Sequence, residues 1–456
     1  MSGNTIAAIA TAPGKASLCT VRISGDDAFL ICERIFKPIN ESKKVTEMKG
    51  YTALFGNFYR KGNEIDQAVA LFFRAPKSYT GENVVEISVH GGSAVADLLL
   101  KACYEAGAKP AGAGEFTKRA FLNGKMSLTQ AEGVMEMINA TSAQAVSAAR
   151  SALEGHLYKR ASAVRDKLLV LVGHISAYTD FPEEAVEAVT DGEVAEILAD
   201  AETELKKLMD SYDTGAKIKQ GIRTAIVGRP NVGKSTLLNA LSGFEKAIVT
   251  PIAGTTRDVV EQEVILGGVN LILQDTAGIR HTEDEVEAIG IRRSLDRLSG
   301  ADLVFCVFDG SEPVTDEDLS LCEKCRGMSA IAIVNKQDLE QKFDRSRIEK
   351  YFKKVLFITA KDFYMSKEFE NDVLSILGIE NLDVNTGIIV NERQYDAVRT
   401  AYNSVKDAND QFKMGYTLDI VGVYIDEALY AVYELTGENV SDEVVEEVFS
   451  KFCVGK

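Results

Sequence analysis

One octapeptide limits what this chain can fold into more than any other feature. Gly228-Arg229-Pro230-Asn231-Val232-Gly233-Lys234-Ser235 matches the pattern G-x-x-x-x-G-K-[ST]. It follows the apolar run Thr224–Val227 and precedes a stretch with helical periodicity. A strand, a glycine-rich loop and a helix in that order commit this part of the chain to α/β layering. The glycines let the backbone wrap an anion, and the loop N–H groups and helix N-terminus then face it. Within Asn231, Val232, Gly233, Lys234, Ser235 and Thr236, Lys234 is expected to reach the β- and γ-phosphates, and the Ser235 hydroxyl to hold Mg²⁺.

The base is read further on. Asn335-Lys336-Gln337-Asp338 follows the β-like run Ala330–Val334. The Asp338 carboxylate can accept from both N1–H and the N2 amino group of guanine, a donor pair that adenine lacks. GTP is therefore the expected nucleotide. Thr359-Ala360-Lys361, after the run Val355–Ile358, is expected to meet the base through backbone groups. Asp275-Thr276-Ala277-Gly278 ends another run, Leu271–Gln274. Asp275 is expected to hold Mg²⁺ through water, and the Gly278 N–H to sense the γ-phosphate. In Gly254-Thr255-Thr256-Arg257-Asp258 the Thr256 hydroxyl is a candidate Mg²⁺ ligand. Such loops order around the γ-phosphate and relax after hydrolysis.

The hydrolytic machinery departs from the small-GTPase plan, in which a glutamine after this DTAG sequence orients water. That position is Ile279, which cannot. Another group must position water, and another positive charge must be supplied. Asn231 is a candidate ligand for a monovalent cation, with carbonyls from Thr250–Ile252 completing the shell. Glu287, in the acidic stretch after DTAG, is a candidate to orient water; a solvated charge among several is its plain alternative.

With 456 residues the chain is too long for one ordinary core. Residues 1–118 alternate β-like runs (Ser17–Ile23, Gln67–Phe73, Val84–Val89) with helical stretches (Asp26–Ile35, Ala94–Ala106), which predicts an α+β domain. Residues 119–215 carry helical spacing through Ala131–Ala149, Ala161–Ala177 and Val194–Leu208, interrupted at Asp180-Phe181-Pro182-Glu183-Glu184. Residues 216–378 alternate strand and helix, with Thr224–Val227, Leu271–Gln274, Leu303–Phe308 and Ala330–Val334 as buried parallel strands. Helical spacing returns after Asn391, so residues 379–456 complete a helical domain that the α/β domain interrupts.

Composition excludes more than it assigns. A net charge of −17 disfavours non-specific nucleic-acid binding, so an RNA partner must meet a local basic patch or a second protein. The seven scattered cysteines do not resemble a disulfide framework and fit a reducing compartment. Cys322 and Cys325 form a lone CxxC, for which two thiols on one helix turn is the plain reading. No apolar run approaches the ~20 residues that cross a bilayer, and Met1-Ser2-Gly3-Asn4-Thr5 does not open a signal peptide. Cytoplasm, with no membrane association, is the expectation.

Together these features resemble the MnmE/TrmE family of tRNA-modification GTPases, over essentially the whole chain. The resemblance is carried by Thr11-Ala12-Pro13-Gly14, Val21-Arg22-Ile23-Ser24-Gly25, Ser78-Tyr79-Thr80-Gly81-Glu82, Glu86 and His90-Gly91-Gly92. It continues through Gly114-Glu115-Phe116-Thr117-Lys118-Arg119-Ala120-Phe121-Leu122-Asn123-Gly124-Lys125 to the closing Phe452-Cys453-Val454-Gly455-Lys456. It implies an N-terminal folate-binding and dimerisation domain, a helical domain and an inserted Ras-like P-loop GTPase domain. The implied activity is potassium-stimulated GTP hydrolysis accompanied by G-domain dimerisation. The implied partner is a FAD-dependent MnmG/GidA-like protein, with tRNA as substrate. The pair would install an aminomethyl-type group, as in carboxymethylaminomethyl-uridine, at C5 of the wobble uridine. The carbon would come from a tetrahydrofolate in its 5-formyl or 5,10-methylene form, the nitrogen from glycine or ammonium.

By motif, Arg22, Glu86, Lys125 and Lys456 match folate-contacting positions. Asn231, Thr250, Ile252 and Thr255 match the potassium site, and Glu287 the water-orienting glutamate. Catalytic candidates are thus Glu287, Lys234 and Cys453, the last as nucleophile or packing residue. Gly112-Ala113 stand where Arg-Pro is common in the family, and a looser loop is expected there. A ribosome-assembly GTPase is the competing enzyme reading, but no basic RNA module such as a KH domain is visible. A non-enzymatic switch, in which GTP only toggles partner affinity, is the competing non-enzyme reading.

Overall fold

A computed structural model of the chain describes residues 4–180, 190–243, 261–274, 298, 300–379 and 386–456. By its internal packing the chain divides into two units, Met1–Met135 with Leu429–Lys456, and Glu136–Ala428.

The first unit is built on strands β1 (Ile6–Ile9), β2 (Leu18–Ser24), β3 (Phe36–Pro38), β4 (Thr52–Arg60), β5 (Asn63–Phe73), β6 (Val84–His90) and β7 (Lys109–Pro110). They form one sheet in the order β3-β4-β5-β6-β2-β1-β7. Helices α1 (Ala28–Ile35) and α2 (Ser93–Glu105) cover one face. Their Ile31, Cys32, Leu99 and Cys103 are buried with Val21, Ile23, Phe72, Val85 and Ile87 of the strands. This alternation puts odd-numbered residues of β2 into the core and leaves Arg22 on the opposite face. Strand β4 has little hydrophobic alternation in the sequence, and its signal is the turn. Lys61 and Gly62 both have positive φ (50° and 84°), the pattern of a tight two-residue hairpin. After α3 (Glu115–Leu122) and the start of α4 (Leu128–Asn139), the unit is completed from the far end of the chain, where the last part of α13 (Leu418–Thr436) is followed by α14 (Asp442–Ser450). Phe449 and Phe452 bury against Leu128 and Ala131.

The second unit begins in helices. The periodic stretch Ala131–Ala149 is two helices rather than one, α4 and α5 (Ala143–Leu153). The Ser142 side chain accepts from the Ala145 N–H, so a serine N-cap restarts the helix where the spacing suggests continuity. Next come α6 (His156–Asp180), α7 (Asp191–Asp210) and α8 (Tyr212–Gln220). Helix α12 (Glu392–Lys413) returns against α7, where Asn409 Nδ2 donates to Glu202 Oε2 at 2.7 Å. Tyr212 stacks on Tyr395 with centroids 4.4 Å apart.

Between these helices lies the α/β part, with β8 (Ile222–Val227), α9 (Lys234–Ser242), β9 (Glu261–Leu266), β10 (Val269–Gln274), β11 (Leu303–Asp309), α10 (Asp316–Lys324), β12 (Ala330–Asn335), β13 (Lys354–Phe357) and α11 (Lys367–Leu377). The sheet order is β13-β12-β11-β8-β10-β9. The neighbouring pairs from β13 through β10 are parallel, and β9 joins β10 antiparallel. Strand β9 has no apolar run to announce it in the sequence; its signal is Gly267-Gly268, both at positive φ. Apolar side chains fill both faces of the sheet, Leu237, Leu241, Phe369 and Val373 on one side and Val314, Cys322, Cys325 and Ile348 on the other. The CxxC thiols are therefore core residues.

Candidate functional site: a nucleotide loop and a seated C-terminal tail

The β8–α9 connection carries the phosphate loop. Gly228, Asn231 and Gly233 all have positive φ (154°, 60° and 101°), which turns the peptide planes of the loop into a concave array. Gly233 is the N-cap of α9, and a Cβ there would run into the Asn335 amide. Asn231, Ser235 and Thr236 are exposed, while Val232 is buried. The Lys234 ammonium donates to the carbonyls of Gly228 at 2.9 Å and Arg229 at 2.6 Å. Burial lowers its pKa. Among the described residues this half-buried ammonium meets only carbonyls, so it gains from an anion, and phosphate fits that need.

Asn335 connects the distant motifs. It is 4% exposed. Its Nδ2 donates to Val232 O at 2.9 Å, and its Oδ1 accepts from the Ala360 N–H at 2.8 Å. One amide therefore ties the phosphate loop to Thr359-Ala360-Lys361. By sequence Asn335 is expected on the nucleotide; the geometry gives its side chain a bracing role. Lys336 has φ 63° and pairs with Asp309 at the end of β11. Burial alone would raise the Asp309 pKa. Lys336 and the Ser311 hydroxyl and N–H outweigh it and hold the carboxyl below its usual range. Gln341 Nε2 donates to the carbonyls of Lys336 at 2.9 Å and Leu339 at 2.8 Å, closing the loop. Asp338 on that loop is exposed, with no hydrogen bond to the described residues, so its acceptors are open to a ligand. Thr359 is partly buried, Ala360 is buried and Lys361 is exposed. Thr250, Ile252, Thr255, Thr256, Asp275, Thr276, Ala277, Gly278 and Glu287 lie outside the described residues.

The other unit holds the second cluster. Arg22 on β2 stands opposite Glu86 on β6, and their side chains pair at 2.8 Å. The Arg22 guanidinium lies over the rings of Tyr79 at 5.4 Å and Phe116 at 5.5 Å. The Tyr79 hydroxyl bonds the Thr117 hydroxyl at 2.9 Å. Burial raises the Tyr79 pKa, against lowering by Thr117 and Arg22. The chain end folds back onto this cluster. Arg22 donates to Gly455 O at 3.4 Å, and Phe116 N–H to Lys456 O at 3.1 Å. Gly114 N–H donates to Cys453 O at 3.3 Å, and Ala113 bridges Val454. Gly455 takes φ 100°, and a Cβ there would collide with the Ile9 carbonyl.

Lys125 sits on the neighbouring loop, where its Nζ donates to Pro76 O at 3.1 Å. The Cys453 side chain is exposed. The loop at Gly112-Ala113, expected to be looser, is pinned by the Val454 bridge and by Glu115, whose Oε2 accepts from Gly112 N–H at 2.7 Å. Tyr79, Phe116 and Arg119 join the site without being expected in it. Arg119 pairs with Glu82 at 3.1 Å and Glu115 at 2.8 Å, bracing the same helix α3. Their only signal in the sequence is membership of the Ser78–Glu82 and Gly114–Lys125 segments.

Among the described residues no helix is long and apolar enough to cross a membrane. Compared with known proteins, residues 5–125 match the family described as GTP-binding protein TrmE N-terminus. Residues 128–453 match the MnmE helical domain. The tRNA modification GTPase MnmE of Clostridioides difficile is 37% identical over 456 residues, covering 99% of both chains. That of Lactococcus lactis subsp. lactis is 39% identical over 454 residues, covering 99% of this chain and 98% of its own. The protein of that name from Symbiobacterium thermophilum is 39% identical over 460 residues, covering 100% of each. With end-to-end similarity of this kind added to the phosphate loop, its Asn335 brace and the seated C-terminal tail, the chain belongs to the MnmE/TrmE family.

Proposed function

We propose that this chain is a GTP hydrolase of tRNA modification. With a FAD-dependent MnmG/GidA-like partner it would install an aminomethyl-type group at C5 of the wobble uridine, from a tetrahydrofolate one-carbon unit. The observation that carries the GTPase part is the Asn335 bridge, which joins the phosphate loop to the base loop through a single buried amide. On this reading the loop N–H groups and Lys234 take the β- and γ-phosphates, and Asp338 accepts from guanine N1–H and N2. Ser235 and Asn231, both at the loop surface, would hold Mg²⁺ and K⁺, whose charge offsets that developing on the phosphates. Thr256 would join Ser235 at Mg²⁺, and Thr250, Ile252 and Thr255 would join Asn231. Glu287 would orient the attacking water, a role that Ile279 cannot fill.

The one-carbon part rests on the Arg22 cluster. A guanidinium paired with a carboxylate lies over two aromatic rings, beside the C-terminal backbone. Such a site offers donors, acceptors and stacking faces to a flat heteroaromatic ligand. Lys125 and Lys456 would add positive charge for the ligand's carboxylates, and Cys453 stands exposed on the tail. The N-terminal unit would also form the homodimer contact.

Mass spectrometry of wobble uridines from cells with and without the protein tests the reaction. Unchanged C5 modification in the deletion strain would refute it. GTP turnover in matched potassium and sodium buffers tests the cation, with potassium expected to be faster. Glu287→Ala is expected to slow turnover while leaving GTP affinity nearly intact, and a large loss of binding would give Glu287 a structural role instead.

A further inference from the structure

The phosphate loop is held from outside by a side chain that no direct nucleotide contact requires. The Arg229 Nε donates to Asp318 Oδ1 at 2.9 Å, and its NH2 to Glu312 Oε2 at 3.1 Å. Asp318 is 2% exposed and sits in the first turn of α10. Its other oxygen accepts from the Thr315 N–H at 3.0 Å and the Thr315 hydroxyl at 2.9 Å, completing a capping box. One buried carboxylate is therefore shared, with one oxygen capping α10 and the other gripping the phosphate loop. The main chain of the same arginine is also engaged, since its carbonyl accepts from Lys234 Nζ at 2.6 Å. Arg229 thus joins the first turn of α10 to the lysine that meets the phosphates.

A guanidinium so placed can act in two ways. It can leave its carboxylates and approach the γ-phosphate as a charge donor, or it can stay and hold the loop. Leaving would strand a carboxylate that is almost wholly buried, which strongly disfavours the first. We propose that Arg229 and Asp318 form a positioning pair that holds the phosphate loop in its anion-ready shape. The pair rests on the reading of this loop as a GTP site. It acts on the loop before any chemistry, so it affects GDP and GTP binding alike and leaves the hydrolytic step largely alone.

The test uses the full-length protein, a fluorescent GDP and a fluorescent non-hydrolysable GTP analogue, and turnover at saturating GTP. Arg229→Ala and Asp318→Asn are each expected to raise both dissociation constants about tenfold, through lost preorganisation. Turnover at saturation should change by less than about threefold. The double variant should bind no more weakly than Arg229→Ala alone, because the two residues act as one unit. Arg229→Lys should recover part of the affinity, keeping the charge but not the fork. Thr315→Ala controls for the helix: it should lower the melting temperature through the lost cap while moving nucleotide affinity little. Additive losses in the double variant would overturn the pair. So would unchanged affinity in Arg229→Ala, or a shift in Thr315→Ala as large as that in Arg229→Ala. A fall in turnover on the order of 10³ with intact GDP binding would make Arg229 a catalytic arginine instead. A wild-type protein that binds neither nucleotide would refute the GTP site itself.

Discussion

Asn335→Ala probes the connection on which the nucleotide site depends. The side chain bonds two buried backbone groups, the Val232 carbonyl and the Ala360 N–H, in residues 1% and 3% exposed. Alanine removes both partners at once. Leaving a buried polar group unsatisfied costs about 1–3 kcal/mol, so two such groups set a range of about 2–6 kcal/mol. Both loops lie at the protein surface and can relax toward water, which favours the lower end, about 2–3 kcal/mol. If that energy is spent holding the loops ready for nucleotide, the dissociation constant for GDP should rise roughly 30- to 150-fold. Titration of fluorescent GDP, alongside a thermal melt, measures both quantities. Asn335→Asp separates the halves, because it keeps an acceptor for Ala360 but sets a carboxylate against the Val232 carbonyl. It should therefore leave the base loop held and release the phosphate loop. GDP affinity within about threefold of wild type in Asn335→Ala would refute the brace, since coupling of this size cannot be that small.

Asp338→Asn should weaken GTP binding and favour xanthosine nucleotides, because an amide mismatches guanine's donor pair; unchanged GTP affinity, measured by competition, would remove Asp338 from the base site. Deleting Cys453–Lys456 removes the Val454 bridge and the carbonyls that accept from Arg22, Gly114 and Phe116. It should abolish wobble-uridine modification and weaken folate binding while GTP turnover persists, and normal modification by the truncated protein would show the seated tail to be dispensable. The Asp309 carboxyl is held below its unfolded pKa of about 3.9 by Lys336 and Ser311. Its contribution to stability is therefore present above about pH 4 and lost as pH falls through the folded value. Asp309→Asn should lower the melting temperature at neutral pH and lose that difference in acid; an equal deficit at both pH values would contradict the linkage.

Local chemistry makes much of this protein readable from its residues in order. The phosphate loop needs glycines and a lysine at set spacing, and guanine recognition needs a carboxylate after an apolar strand. Those demands act on neighbouring residues, so Gly228–Ser235 and Asn335–Asp338 are legible as text. The parallel strands β8, β10, β11 and β12 are legible for a related reason, because burial on both faces leaves unbroken apolar runs. Strand β9 and the α4–α5 break turn on Gly267-Gly268 and Ser142, single turn or cap signals that an averaged periodicity passes over.

What only the tertiary structure decided are the long-range partnerships. Residues 429–456, distant in sequence, pack with the N-terminal unit. Arg22 meets Gly455 across 433 positions, and Arg229 meets Asp318 across 89. An arginine looks the same in sequence whether it faces solvent or a buried carboxylate. Asn335 likewise gives no sign in sequence of the carbonyl and N–H that it joins. Spacing along the chain specifies chemistry within a turn or a loop; which distant group satisfies a buried donor is settled only when the chain closes and water is excluded from both.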